Sequence, residues 1–346
     1  MNNVGRMTTI LKQILNSYKL LGECLSVTRV ENMLQIHRFS SDIRNSSQTY
    51  NELYKYWYNR FISDDILEPE ESAGYIFAHL FNKKTISLVP QSCMNNLIPH
   101  EKISYVNDLC VKKLKRMPIQ YILGEWDFFG VNLKMKPPVF IPRPETEELV
   151  KHVLQCIKCR LNNHGSKNSP LKILEIGCGS GAITLSLLHN LKHENVKFVA
   201  IDATSHAVQL SKENSKLLNL DMLTKLQILH IECGVAKSIP LLEKFAPFDI
   251  IVSNPPYIPT SDMKNLPDEI SMYEDNIALH GGNKGLDVID GILELAKHML
   301  TKNGSIWLEV DSSHSSIFRT SYAHWMVESY KDLFDNFRFC HFRKSI

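Results

Sequence analysis

The stretch Asp249-Ile250-Ile251-Val252-Ser253-Asn254-Pro255-Pro256-Tyr257 carries the clearest chemistry in the chain. Its apolar, β-branched first half predicts a buried strand. Two consecutive prolines forbid both a helix and further ladder pairing, so the strand must end with Asn254 at its carboxyl edge. What stands there is an amide side chain, backbone carbonyls in a turn short of two N–H donors, and an aromatic face. That is an acceptor-rich cradle for an amino group, and it makes Asn254, Pro255, Pro256 and Tyr257 the candidate catalytic and acceptor-binding residues. An Asn-Pro step also opens ordinary turns, so the reading depends on what else the chain brings to the same edge.

A second constellation lies upstream. A predicted strand over 172–177 runs into Glu175-Ile176-Gly177-Cys178-Gly179-Ser180-Gly181, where glycines allow a tight turn and close approach of the backbone to a ligand, and the following helix offers free N–H groups. Asp202 closes the next predicted strand, 21 residues past Gly181, where a carboxylate can accept both ribose hydroxyls. Together they specify an adenosine-containing ligand. The loop is Gly-x-Gly-x-Gly, not the Gly-x-Gly-x-x-Gly of dinucleotide-binding dehydrogenases, and an acid stands two residues before its first glycine. This form resembles the S-adenosylmethionine loop of class I methyltransferases. Glu175 is suited to meet the ammonium group of such a ligand, directly or through water, which a pyrophosphate cradle would not want. Glu232, ending the third strand, either reaches the adenine edge or stands as a solvated strand-end carboxylate. The candidate cofactor-binding residues are therefore Glu175, Gly177, Cys178, Gly179, Ser180, Gly181, Asp202, Glu232 and Asn254, with S-adenosyl-L-methionine as the cofactor and no metal.

These residues need elements to position them. Alternating strands and helices are predicted after the polar loop 162–170, with strands at 172–177, 197–202, 226–231, 248–253 and 305–310, as in a doubly wound sheet. In such a sheet ligands bind in the crevice outside the carboxyl ends of the strands, where both constellations fall. Upstream, Tyr50, Leu53, Tyr54, Trp57 and Phe61 recur at helical spacing, Pro69-Glu70-Glu71-Ser72 opens a second helix, and a third covers Tyr105 to Leu114. This aromatic stripe is read as the core of a small helical domain, 46–117. Between 118 and 140, Tyr121 to Gly130 and Val131 to Met135 predict two short strands with a glycine turn, a hairpin connector to a domain spanning 141–346. Ile141-Pro142-Arg143-Pro144-Glu145-Thr146 then enters a helix with acids in its first turn.

Composition names no partner. The 346 residues allow about two domains, and 22% charged with 44% hydrophobic residues argue for a globular protein. A net charge of +2 gives no support for a nucleic-acid-binding surface, so direct nucleic-acid binding is not expected. No apolar run reaches the roughly 18 residues of a membrane span. The eight cysteines, scattered and without a secretory signal, read as reduced thiols, and the lone Cys156/Cys159 pair supplies half the ligands of a zinc site. Residues 1–45 carry Glu23, Glu31 and Asp42 against Arg6, Lys12, Lys19, Arg29, Arg38 and Arg44, with Ile10, Leu11, Ile14, Leu15 and Tyr18 on one helix face. That pattern predicts a mitochondrial presequence, the alternative being an extra amphipathic helix of a cytoplasmic protein.

With both constellations in this order, the chain resembles the HemK/PrmC family of protein glutamine methyltransferases. Pro118-Ile119-Gln120-Tyr121-Ile122-Leu123-Gly124, Ile141-Pro142-Arg143-Pro144-Glu145-Thr146 and Gly281-Gly282-Asn283-Lys284-Gly285-Leu286 look like family signatures. The resemblance covers about residues 50 to 342. It implies a class I S-adenosylmethionine-dependent methyltransferase fold, a doubly wound, mostly parallel seven-stranded sheet, with a small N-terminal helical domain joined by a β-hairpin. It implies as substrate the glutamine of the Gly-Gly-Gln tripeptide in a class I peptide chain release factor, here a mitochondrial one, and it adds Arg143 to the candidate substrate-binding residues. An amide nitrogen is a poor nucleophile, its lone pair being delocalised into the carbonyl. Accepting its two hydrogens on the Asn254 oxygen and the Pro255 carbonyl would aim it at the sulfonium methyl, with Tyr257 packed against the amide plane.

Two departures from the family pattern stand out. Tyr273-Glu274-Asp275, followed by Asn276, replaces an aromatic-Glu-Pro sequence, and Lys331 to Phe339 alters the turn of a final helix-to-strand passage. Competing readings are an adenine-N6 DNA methyltransferase, which faces the same geometric problem with an exocyclic amine but needs a basic target-recognition region, and a non-catalytic adaptor that binds release factors.

Overall fold

A computed structural model describes residues 48–163, 169–220, 225–232, 234–322 and 324–344. The predicted presequence lies outside them. The chain divides into two compact units, one through Leu114 and one from Lys115 onward.

The first unit is helical. Helix α1, Tyr50–Ser63, begins at a capping box in which Thr49 and Glu52 bond each other's backbone N–H groups. It buries Tyr50, Leu53, Trp57 and Phe61, and the Trp57 indole donates to Asn107 at 2.9 Å. Tyr54, the remaining member of the predicted stripe, is only half-buried. Helix α2, Pro69–His79, starts at its proline and buries Ala73, Ile76 and Phe77. Helix α3 runs His100–Leu114, one turn longer than its predicted start because Pro99 and His100 begin it.

The second unit opens with a short helix, Ile119–Leu123, whose last three residues were expected to begin a strand. Pro118 sets the first helical turn, and Gly124 at φ +77° closes it in the left-handed conformation. The hairpin itself is β1, Glu125–Phe128, paired antiparallel with β2, Val131–Lys134. Helix α4, Pro144–Asn163, leads into the main sheet and carries Cys156 and Cys159 as separate thiols.

That sheet is seven-stranded, in the order β5-β4-β3-β6-β7-β9-β8. The strands are β3 Leu171–Ile176, β4 Val196–Asp202, β5 Leu226–His230, β6 Phe248–Ser253, β7 Leu300–Glu309, β8 Trp325–Lys331 and β9 Phe337–Lys344. The first five pair in parallel, while β9 lies antiparallel between β7 and β8. Helices α5 Ala182–Asn190, α6 Ser205–Leu217, α7 Asp287–Met299 and α8 His314–Ser321 connect them. Two apolar clusters pack on the sheet, one around Ile173, Leu185, Val153 and Ile250 and the other around Leu174, Ile251, Ile292 and Leu308. Strands buried on both faces read as continuous apolar runs, which is why their positions were legible. Lys331 to Phe339 is a strand–turn–strand passage, not helix-to-strand. Asp332 accepts the Phe334 and Asn336 N–H groups at 2.9 Å each and closes the turn.

The strand order reverses between β3 and β6, and the crevice beyond their carboxyl ends is the topological switch point. Ser253 pins the two strands there, its hydroxyl donating to the Ile176 carbonyl at 2.6 Å.

Candidate active site

A cavity of about 320 Å³ opens at this switch point, within the roughly 300–1,000 Å³ of small-molecule sites. Glu175, Gly177, Cys178, Gly179, Ser180, Asp202, Asn254 and Pro256 line it, joined by Thr146, Thr204, His206 and Ile231. The two constellations seen in the sequence therefore meet in one place. Gly181 stands behind the loop at φ +86°, where a Cβ would lie 2.6 Å from the Ser211 hydroxyl. Only glycine lets α5 start this close to α6.

Two carboxylates set the electrostatics. Glu175 is buried and accepts the Thr184 N–H at 3.0 Å, yet burial outweighs that bond and pushes its carboxyl up to about 8. Asp202 is already engaged: its Oδ2 accepts the Gly179 N–H at 2.9 Å, and its Oδ1 accepts the Thr204 N–H at 3.0 Å and hydroxyl at 2.9 Å. A carboxylate has about four acceptor sites, so one position remains on Oδ2. A second ribose hydroxyl needs the Thr204 hydroxyl to rotate away. With apolar walls from Ile176, Ile183, Ile201 and Ile231, this donor set suits a cationic ligand that carries a ribose and a flat base. Cys178 is a buried thiol whose pKa burial raises, so it is packing, not a nucleophile.

Asn254 follows the last residue of β6. Its Nδ2 donates to the Thr146 hydroxyl at 3.1 Å, and that hydroxyl donates to Glu309 Oε2 at 2.8 Å. The register pairs Ser253 with Leu308, which sets Asn254 beside Glu309 at the strand ends. Among the described residues neither Asn254 Oδ1 nor the Pro255 carbonyl accepts a hydrogen bond. Tyr257 does not line the cavity. Its ring packs on the core and its hydroxyl donates to Glu309 Oε1 at 3.3 Å. Pro255 is buried.

The turn is held from outside by the Gly281–Leu286 signature. Ile258 donates to the Leu279 carbonyl at 3.0 Å, and its own carbonyl accepts the Gly281 N–H at 2.9 Å. A Cβ on Gly281 would lie 2.7 Å from the Pro256 carbonyl oxygen, so backbone touches backbone.

Two expected residues are not brought to the cavity. The Glu232 side chain is 81% exposed and lies 3.7 Å from His230, so it stands in solvent, although its neighbour Ile231 lines the cavity. Arg143 pairs at 2.7 Å with Glu274, which is buried and also accepts the Ile141 N–H. Arg143 thus fastens the 273–275 segment, the place where the family pattern departs, instead of lining the cavity. Thr146, Thr204 and Glu309 were missed. The available signal was an acid ending a buried strand, Ile306-Trp307-Leu308-Glu309, next to the strand that carries Asn254.

Replacing Asp202 with alanine is expected to weaken S-adenosyl-L-methionine binding by roughly 1–3 kcal/mol through lost charge-assisted bonds. Unchanged affinity in calorimetry would remove the ribose role. The pH dependence follows from Glu175, whose folded pKa of about 8 lies above its ordinary 4.5. The ligand-free fold then binds more protons than the unfolded chain, so this group's stabilisation is lost as pH rises toward 8. A cationic ligand needs the ionised form, so its affinity should rise with pH up to about 8 and release a proton. Glu175→Gln should flatten that slope in calorimetry across buffers of different ionisation enthalpy.

Residues 167–309 match the family model described as a methyltransferase domain, and residues 52–124 match the PrmC N-terminal domain. The human protein "MTRF1L release factor glutamine methyltransferase" is 42% identical over 305 residues, spanning 85% of this chain and 87% of the relative. The "Release factor glutamine methyltransferase" of Streptococcus pneumoniae is 32% identical over 271 residues, spanning 77% and 89%. That of Flavobacterium psychrophilum is 36% identical over 245 residues, spanning 70% and 79%.

Proposed function

The chain belongs to the release factor glutamine methyltransferases, and on that premise we propose that its acceptor is the glutamine of the Gly-Gly-Gln tripeptide in a class I peptide chain release factor of the mitochondrion. The protein is an S-adenosyl-L-methionine-dependent protein-(glutamine-N5) methyltransferase, its partner is a release factor, and the modification supports translation termination. The observation that carries the reading is Asn254: an amide whose oxygen has no partner among the described residues, on a cavity shared with the glycine loop and Asp202.

When bound, S-adenosyl-L-methionine supplies an electrophilic methyl group. Asp202 and Glu175 would hold it through its ribose hydroxyls and its ammonium group, and the side-chain-free glycines would let the loop backbone approach it closely. Asn254 Oδ1 and the Pro255 carbonyl each accept one hydrogen of the acceptor amide, which fixes its plane and points the nitrogen into the cavity. Orientation, worth several powers of ten in rate, replaces activation as the lever. The surplus proton on the methylated nitrogen passes to water, so no residue serves as general base.

The mitochondrial assignment draws on the basic, acid-poor residues 1–45. Among the described residues no helix is long and apolar enough to cross a membrane. Incubation with labelled S-adenosyl-L-methionine and, separately, a mitochondrial release factor or duplex DNA tests the acceptor. Label is expected in the release factor alone. Label in DNA, or none in the factor, would contradict the reading.

A further inference from the structure

Resting on the reading that Asn254 holds the acceptor amide, we propose that Thr146 and Glu309 are positioning residues: a hydrogen-bond relay from Glu309 through Thr146 decides which end of the Asn254 amide faces the acceptor. The Thr146 hydroxyl spends its single hydrogen on Glu309 Oε2, at 2.8 Å. Its oxygen can then only accept, and what it accepts is an Asn254 Nδ2 hydrogen, at 3.1 Å. The two ends of an asparagine amide have nearly the same shape and opposite hydrogen-bonding sense. With Nδ2 held inward, Oδ1 faces out and can take an acceptor N–H; reversed, the side chain would set N–H groups against N–H groups. The relay removes that ambiguity.

The surroundings hold the relay in one arrangement. Thr146 and Glu309 are 2% and 1% exposed, so solvent offers no substitute partner. Tyr257 donates to the other Glu309 oxygen at 3.3 Å, so the carboxylate is held on both sides. Three separate elements contribute: Thr146 from the first turn of α4, Glu309 from the end of β7, and Asn254 from the end of β6.

A pH dependence follows. The charged and titratable groups facing Glu309 are Tyr257, Glu145 on α4, and Arg338 on β9, the last itself 3.4 Å from Asp332. Burial outweighs Arg338 and the hydrogen bonds and pushes the Glu309 carboxyl up to about 7. Below that pH the protonated carboxyl can donate to Thr146, whose own hydrogen then turns towards Asn254 and favours the reversed amide. At saturating cofactor, where the Glu175 effect on affinity drops out, kcat should fall as pH drops through about 7, and Glu309→Gln, which does not titrate, should lack that limb.

The test uses the full chain, a class I release factor and labelled S-adenosyl-L-methionine. Thr146→Val keeps the shape and deletes the hydroxyl. Its kcat is expected to fall at least about tenfold while cofactor affinity stays within about threefold, and Thr146→Ser should restore most of the lost rate. A kcat within about twofold of wild type, or a loss of cofactor affinity as large as the loss of kcat, would overturn the relay. A wild-type chain that leaves the release factor unlabelled contradicts the functional reading instead. The relay is then decided without any acceptor by nuclear magnetic resonance of the Asn254 side-chain amide, assigned by its disappearance in Asn254→Asp. That signal should move through the pH window around 7 in wild type and stay still in Thr146→Val and Glu309→Gln. The same response in all three chains would overturn it.

Discussion

Asn254→Ala is expected to lower methyl transfer to the release factor by at least roughly 10³-fold while changing cofactor affinity by no more than about threefold. The division follows from the geometry. The glycine loop, Glu175 and Asp202 supply the polar contacts suited to a cofactor, and each is anchored without Asn254: Asp202 by Gly179 and Thr204, and Glu175 by Thr184. Asn254 instead bonds Thr146 through its nitrogen, leaving its oxygen for an acceptor. Alanine deletes that oxygen without disturbing the Asp202 or Glu175 bonds. Cofactor binding that collapses together with turnover would show that Asn254 belongs to the cofactor half of the site.

The second large effect is expected at a residue that touches neither cofactor nor acceptor but presses on the turn that carries Asn254. Gly285 sits at φ +72°, and a Cβ there would fall well inside van der Waals contact distance of the Tyr257 carbonyl oxygen. Gly285→Ala must therefore push the Asn-Pro-Pro-Tyr turn aside, and a misplacement of about 1 Å costs on the order of 10²-fold in rate. Gly130 provides the control. It has φ +83° but nothing within 4 Å of its would-be Cβ, so Gly130→Ala should cost only the left-handed strain, about 1–2 kcal/mol of stability, and leave kcat alone. Equal rate losses in the two variants would mean that backbone strain, not displacement of the turn, is responsible.

The contrast between these glycines shows where sequence reasoning reaches its limit. Strand β6 was placed at 248–253 as observed, because β-branched residues end abruptly at two prolines. Strand β7 was expected from 305 and starts at Leu300, since the polar Thr301-Lys302-Asn303 conceals pairing that begins at Phe248 and Leu300. Tyr121-Ile122-Leu123 has the β-branched and aromatic look of a strand, but Pro118 and Gly124 bracket a short helix, Ile119–Leu123. Within the site, the glycine loop, Asp202 and Asn254 announced themselves through local spacing. Thr146 and Glu309 did not. The first reads as an ordinary residue of a helix's opening turn and the second as the end of a strand, and they meet across 163 positions of chain. Glu232 shows the converse: a position at a strand end does not say which side its side chain takes, and Ile231 lines the cavity while Glu232 stands in solvent.

Arg143 repeats that lesson. The family resemblance put it among the candidate substrate-binding residues, yet its partner is Glu274, from the segment where the family pattern changes. Burial raises the Glu274 carboxyl even with the guanidinium beside it, so removing Arg143 would strand a buried carboxyl and loosen the cavity's rim.

The most direct test of the account is mass spectrometry of the Gly-Gly-Gln peptide of a mitochondrial class I release factor, incubated with S-adenosyl-L-methionine and either the wild-type chain or Asn254→Ala. The glutamine side chain is expected to gain the mass of one methyl group with the wild type and none with the variant. An unmodified glutamine with the wild-type chain, or full methylation by Asn254→Ala, would contradict it.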